Sequence, residues 1–309
     1  MRTIEVALVF PGQGSQFVGM ADPWADHPAG RAALDEASEV LGSDVVAECH
    51  DDSLLATTEF TQPALLACDV AALRVLESLG GSGRWIGAAG HSLGEFAALV
   101  AAGVLPLADA LRIVAVRGRE MQRAGDERPG TMSALLGLGT LEAAALCDEA
   151  RGDDVLVVAN ENSPQQVVIS GSVAAVERAE ALCSERKIRA VRLSVAGAFH
   201  SPLMGSAVAP LTDAIDAVTF AAPLFPIAAN VTGELVRDPQ VMRALLARHV
   251  VSPVRWEACA HALRDAGAQT FIEVGPGDVL TKLSKRVVPG IRAAAVGSPQ
   301  EAERLLAAD

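Results

Sequence analysis

The stretch RWIGAAGHSLGEFAALVAAG (84–103) limits the possible folds of this chain more tightly than any other. A short apolar run, read as a strand over 84–90, passes almost at once into a helical pattern over 93–102, with Ser92 at the bend. Gly90 and Gly94 lie two positions away on either side. A strand turning so sharply into a helix brings two backbones together, and a β-carbon at either glycine would occupy the space that they close. The result is a nucleophile elbow. It raises a serine hydroxyl from the sheet edge and aims the Leu93 N–H, at the helix N-terminus, towards an oxyanion on a bound carbonyl. The same pentapeptide also suits a serine that only caps the helix, and these residues alone leave both roles open.

The bend needs a sheet around it. TIEVALVF (3–10) reads as a buried strand stopped by Pro11-Gly12, and helical periodicity follows over 30–42 and 61–80. In the second helix Thr61 is the expected N-cap, Pro63 a first-turn proline and Gly80-Gly81 the end. Another helix is expected over about 107–124. After GDERPG (125–130) the pattern becomes strand, helix, strand, strand, helix, strand over 131–195, the split order of a ferredoxin-like unit. Alternation then resumes: helix 206–218, strand 224–231, helices 239–249 and 255–266, strand 270–275 and helix 278–286. The expected fold class is α/β. An α/β-hydrolase-like parallel-sheet domain, formed by 1–127 and 197–309, is interrupted by an inserted ferredoxin-like (βαββαβ) subdomain at 128–196.

With 309 residues, 50% of them hydrophobic, the chain has ample material for such a core. It has no run of about 18 apolar residues and no signal-peptide core, so the expectation is a cytoplasmic protein that enters no membrane. Cys49, Cys68, Cys147, Cys183 and Cys259 are widely spaced and read as reduced core thiols. Neither CxxC nor HExxH occurs, and no metal is expected. A net charge of −13 disfavours a nucleic-acid partner, which would need a basic face.

A nucleophilic serine needs a base. His27 and His50 lie in polar, loop-like surroundings, and His261 sits in a regular helix. His91 adjoins Ser92, but consecutive side chains at a bend point apart. His200, in SVAGAFHSPLMGSAV (194–208), stands in the connection leaving the inserted unit, where catalytic groups concentrate; capping the next helix is its other possible role. Arg117 is the most informative charge. In LADALRIVAVRGREMQ (107–122) it shares a helix face with Leu107, Leu111, Val114 and Met121, whereas Arg112 and Arg119 fall off that stripe. A buried guanidinium needs an anion, either an internal carboxylate such as Glu95 or the carboxylate of a ligand.

Taken together, the chain resembles the malonyl-CoA:acyl-carrier-protein transacylase family, including the acyltransferase domains of polyketide synthases. The matching blocks run nearly end to end in family order: VFPGQGSQFVGM (9–20), FTQPAL (60–65), GHSLGE (90–95), RGREMQ (117–122), NENSPQQVVISG (160–171), GAFHSPLM (197–204), SPVRW (252–256) and IEVGPGDVLTKL (272–283). The resemblance implies Ser92 as nucleophile and His200 as base, with the backbone N–H groups of Gln13 and Leu93 as oxyanion hole. Arg117 would hold the malonyl carboxylate, with Gln62, Phe199, His91 and Asn162 around the substrate. The backbone carbonyl of His249 would orient His200, at a position where other members often carry glutamine. Phe199 beside His200 matches the AFH pattern associated with malonyl rather than methylmalonyl, although ordinary packing would also explain a ring there. Asn160 and Asn162 suit turn formation as well as substrate contact.

The implied reaction moves malonyl from coenzyme A to the phosphopantetheine thiol of an acyl carrier protein, in fatty-acid or polyketide biosynthesis, by a ping-pong mechanism through malonyl-Ser92. No permanently bound cofactor is expected, and the chain is expected to be a monomer. An acidic carrier would need a basic patch. Lys187 and Arg189, or Lys282, Lys285 and Arg286, are the candidates, although both groups also read as ordinary solvated faces. The rival within the fold is a serine hydrolase of acyl thioesters, against which an acid-binding Arg117 argues. A silent docking subunit would have no need to keep Ser92, His200 and Arg117 together.

Overall fold

The structure, a computed structural model, describes residues 5–81 and 85–307. Thr3 and Ile4 of the first expected strand, and Arg84 of the second, lie outside the described residues. Strand β1 (Val6–Phe10) is buried along its whole length, as befits a strand covered on both faces. It runs parallel to β2 (Trp85–Gly90). The chain then makes β3 (Gly130–Leu136), β4 (Leu156–Ser163), β5 (Gln166–Ser172) and β6 (Arg189–Arg192). It returns with β7 (Ile227–Ala228), β8 (Leu235–Val236), β9 (Thr270–Val274) and β10 (Arg292–Val296).

Two sheets result. The larger has the order β10-β9-β1-β2-β7-β8 and is parallel except for the β7–β8 pair at its edge. Its pleat sends Leu8 and Phe10 into one core, with Leu65 and Phe96, and Ala7 and Val9 into another, with Trp256 and Phe271. The smaller sheet has the order β4-β5-β3-β6 with all neighbours antiparallel, and shares a third core with helices Thr140–Arg151 and Val173–Glu185. This is the α/β class with a ferredoxin-like unit that the sequence leads one to expect. Backbone bonds from Val254 to Ala159 and from Glu161 to Val254, at 2.8 and 2.9 Å, join β4 to the larger unit. Among the described residues no helix is long and apolar enough to cross a membrane. All five cysteines are buried and free.

Several elements depart from expectation. The helix carrying Gln62 starts a turn early: Thr57 is its N-cap, Thr58–Leu76 is helical and Pro63 lies inside it. The Thr61 hydroxyl donates to the Leu55 carbonyl instead of capping. Pro63 frees the Glu59 carbonyl. There Gly118 of helix Leu107–Glu127 passes so close that a β-carbon would sit 3.1 Å from that oxygen. The expected helix at 206–218 opens as a 3-10 turn, Pro202–Ala207, before becoming α-helical over Val208–Asp216. The expected strand at 224–231 pairs only at Ile227–Ala228. Pro226 has no N–H to donate, and Asn230 is diverted to the elbow. Strand β8 is too short to leave a pattern, and the three alanines of β10 carry little strand propensity.

The glycines of the bend are required by contact. A β-carbon on Gly90 would lie 1.8 Å from the Gly94 carbonyl carbon, and one on Gly94 would lie 2.1 Å from the Phe10 carbonyl oxygen. The helix after Ser92 therefore touches the end of β1 backbone to backbone. Gly94→Ala is expected to lower stability by about 3 kcal/mol in equilibrium urea unfolding, at the upper end of overpacking costs. An unchanged unfolding midpoint would show that this contact yields freely.

Candidate active site

Ser92 occupies the end of β2 with φ of 53°, in the left-handed region that a side chain disfavours. His200, the expected base, stands in a second strained turn, with φ of 57°. Ser201 steadies that turn by donating its hydroxyl to the Ala198 carbonyl at 2.6 Å. The two side chains meet across 108 positions of sequence, with Ser92 Oγ 2.7 Å from His200 Nε2. His200 Nδ1 faces two carbonyl oxygens, that of His249 at 3.2 Å and that of Ser252 at 3.0 Å. Carbonyls only accept, so Nδ1 carries the proton and Nε2 is the acceptor turned to the serine. Burial, helped by the charge of Arg117, lowers the His200 pKa to about 3. The imidazole is thus neutral in its resting state.

Arg117 is 1% exposed, while Arg112 and Arg119 stand out in solvent. Its guanidinium donates to Gln62 Oε1 at 2.6 Å and to Ser92 Oγ at 3.0 Å. Its Nε has no partner, and among the described residues no carboxylate forms an ion pair with it. Glu95 is occupied elsewhere, accepting the Asn230 backbone N–H at 2.9 Å. Burial depresses the Arg117 pKa to about 10 and, acting on the opposite charge, raises that of Glu95 to about 7. A buried positive group thus lies against the hydroxyl and is satisfied only by neutral partners.

A cavity of about 220 Å³ opens on Ser92 and His200, with Gln62, Met132 and Phe199 in its wall. A second, of about 170 Å³, shares Gln13, His91 and Asn160 with it and reaches Gln166 and Leu283. The backbone N–H groups of Gln13 and Leu93 find no acceptor among the described residues. His91 turns its Nε2 to Asn162 Oδ1 at 2.8 Å, so Asn162 meets the outer cavity already bonded. The basic candidates separate. Lys282, Lys285 and Arg286 lie on helix Val279–Val287, where Arg286 reaches Gln166 at the outer cavity and Lys282 is paired with Asp278. Arg189, beside Lys187, instead lines a distinct groove with Glu180 and Arg192. Sequence reasoning does not find Ser252, whose role is a carbonyl, or Asn230, whose amide accepts the Ser92 N–H at 2.7 Å. No residue-type signal marks a main-chain oxygen, and Asn230 lies in a segment that reads as strand.

Residues 7–304 match the family model described as acyl transferase domain. Over 299 residues the chain is 42% identical to the malonyl CoA-acyl carrier protein transacylase of Escherichia coli K12, covering 96% of each chain. The crystal structure of malonyl-CoA:acyl carrier protein transacylase from Xanthomonas oryzae is similar at a TM-score of 0.95 and 41% identity, covering 100% of this chain and 99% of that one. A malonyl-transacylase solved in complex with a type II polyketide synthase acyl-carrier protein is similar at a TM-score of 0.94 and 38% identity, covering 99% of this chain and 100% of that one. The chain belongs to the acyl transferase family.

Proposed function

We propose that this chain moves a malonyl group from coenzyme A to the phosphopantetheine thiol of an acyl carrier protein, through a malonyl ester on Ser92. The observation that carries this reading is the buried Arg117 guanidinium, 3.0 Å from the Ser92 hydroxyl and without a carboxylate partner of its own. Malonyl supplies the missing acid. Its carboxylate suits the planar fork of the guanidinium, and its thioester carbonyl would then lie at the hydroxyl. The names of the relatives and of the carrier complex support the same donor and acceptor.

His200 Nε2 takes the hydroxyl proton as Oγ attacks the thioester carbonyl. The N–H groups of Gln13 and Leu93 receive the oxyanion, and coenzyme A leaves as its thiol after His200 returns the proton. The carrier thiol then attacks the ester, with His200 as base again, and Ser92 is regenerated. Phe199 and Met132 bound the acyl pocket, and Phe199 would crowd a branch at the malonyl α-carbon. The carrier approaches along helix Val279–Val287, where Arg286 reaches Gln166 at the outer cavity and Lys285 is its neighbour in sequence; Lys187 and Arg189 stand farther round. The reading includes the inserted unit at 128–196, a cytoplasmic monomer, and no permanently bound cofactor or metal.

Four measurements test it. Intact mass after mixing with malonyl-CoA is expected to show one malonyl adduct, absent in Ser92→Ala; an unmodified wild-type chain would refute the transfer. Arg117→Ala is expected to slow malonyl transfer by about 10²-fold or more and to spare acetyl transfer, in line with the loss of a charged pair. Equal losses on both donors would remove the arginine from its role. The lowered His200 pKa places protonation of the base near pH 3, so its acid limb in single-turnover acylation is expected below about pH 5. A limb near pH 6.5 that survives Glu95→Gln would contradict this. Charge reversal at Lys285 and Arg286 together is expected to raise the carrier KM several-fold with little change in kcat.

A further inference from the structure

The segment leaving β7 brings one amide against both arms of the Ser92–His200 pair. Asn230 is fully buried. Its Oδ1 accepts the Ser92 N–H at 2.7 Å and lies 3.3 Å from His249 Nε2. Its Nδ2 donates to the Gly90 carbonyl at 2.7 Å, and its backbone N–H to Glu95 Oε2 at 2.9 Å. An amide oxygen has two lone pairs, and both are engaged. The donor role of Nδ2 fixes the amide orientation, so His249 Nε2 must be the protonated nitrogen of its ring. Gly90, Ser92 and Glu95 are three points along the elbow. His249 is the residue whose carbonyl holds His200 Nδ1.

We propose that Asn230 is a positioning residue for the acyl transfer: its side-chain amide sets the angle at which the elbow presents Ser92 and ties that angle to the segment orienting His200. The inference rests on the proposed reaction but touches neither donor nor carrier. A left-handed Ser92 persists only where its surroundings over-determine it. Here one planar group holds the peptide units on both sides of His91, one as donor and one as acceptor. Turning the Ser92 N–H inward leaves the Leu93 N–H free for the oxyanion. The His249 side chain thereby gains a use besides its carbonyl, as the link between the two arms.

The titratable groups facing this position are Glu95, His249 and Cys259, whose Sγ lies 4.0 Å from Nδ2. Burial keeps His249 neutral and Cys259 a thiol, and raises Glu95 to about 7. Glu95 titrates in the wild-type chain as well, so the comparison between variants isolates the group at 230.

Asn230→Asp makes that comparison. A protonated aspartic acid keeps all three side-chain hydrogen bonds, with its C=O accepting from Ser92 and His249 and its O–H donating to Gly90. Its carboxylate cannot donate, and it would face the Gly90 carbonyl and Glu95. Single-turnover modification of Ser92 is to be followed by intact mass at about pH 5 and about pH 8, with circular dichroism at each. Two reagents are used. Malonyl-CoA reports the proposed reaction. A fluorophosphonate reports the hydroxyl alone: the Oγ–P bond forms, the P–F bond breaks, fluoride leaves and His200 takes the proton.

Relative to wild type, the aspartate variant is expected to be within about threefold at the lower pH and about 10²-fold slower at the higher. Half-saturation by malonyl-CoA should move less than about threefold. Asn230→Ala should be slow at both. A wild-type chain that takes fluorophosphonate but no malonyl, with the aspartate variant still pH-dependent, would sink the transfer reading and leave the positioning role standing. An aspartate variant that follows the wild-type profile with fluorophosphonate, or an alanine variant as fast as wild type, would overturn the positioning role. So would an aspartate variant unfolded at both pH values, since that assigns Asn230 to stability alone.

Discussion

Burying the Arg117 guanidinium costs several kcal/mol, and the fold returns little of it through direct contact with a carboxylate. Gln62 offers a carbonyl dipole and Ser92 a hydroxyl, both neutral. The charge is therefore felt by everything around it. It adds to burial in keeping both His200 and His249 unprotonated. It also works against burial at Glu95, favouring the charged form of that carboxyl beyond the elbow. Under the proposed function this unmet demand for an anion at the hydroxyl would act as a built-in preference: an acyl group carrying its own carboxylate would complete the site, and one without it would leave the deficit in place. On that reading, selection among acyl donors and the protonation state of His200 would follow from the same buried cation.

That electrostatic arrangement needs rigid supports. Ser92 and His200 both sit in left-handed backbone, and each faces the other across the cavity. Two strained turns hold a 2.7 Å contact only if neither relaxes. On the serine side the constraint is the approach of Gly94 to the Phe10 carbonyl, and that of Gly12 to the His91 carbonyl, where a β-carbon would sit 2.2 Å away. On the histidine side it is the pair of carbonyls at 249 and 252, in the short turn that also pairs with β4 of the smaller sheet. The ferredoxin-like unit therefore does more than roof the cavity. Its strand β4 is bonded to Val254, two residues past the Ser252 carbonyl that faces His200 Nδ1.

Much of this was legible because some residues contradict their surroundings. Glycines at fixed spacing about a serine have no reason to be there except close backbone approach, and the structure shows that approach at Gly90 and Gly94. An arginine on an apolar helix stripe is likewise conspicuous. Where local rules and tertiary contacts disagree, the sequence misleads. Pro63 looks like a helix start, but the helix runs a full turn further back because Thr57 caps it and Gly118 packs against the freed carbonyl. The apolar run at 224–231 promises a long strand, yet only two residues pair. Its asparagine is spent on the elbow instead. Contacts made by main-chain oxygens, such as those of His249 and Ser252, leave no trace in side-chain identity.

The use of carbonyls rather than a carboxylate behind His200 has a chemical consequence. A carboxylate would stabilise the imidazolium and make the base stronger; two neutral carbonyls beside a buried arginine do the opposite, and the pKa falls to about 3. For cleaving an amide this would be a handicap, because the imidazolium that must protonate the leaving amine would form less readily. A thiol, with a pKa of about 8.5 for a cysteine-like group, leaves with far less help. The same difference acts in the second half of the proposed reaction. A weak base can relieve a carrier thiol of its proton far more readily than it can activate water, a much weaker acid than a thiol. In the proposed reaction a poorly basic histidine would thereby favour transfer to sulfur over hydrolysis. In this site that preference does not depend on excluding every water molecule from the cavity.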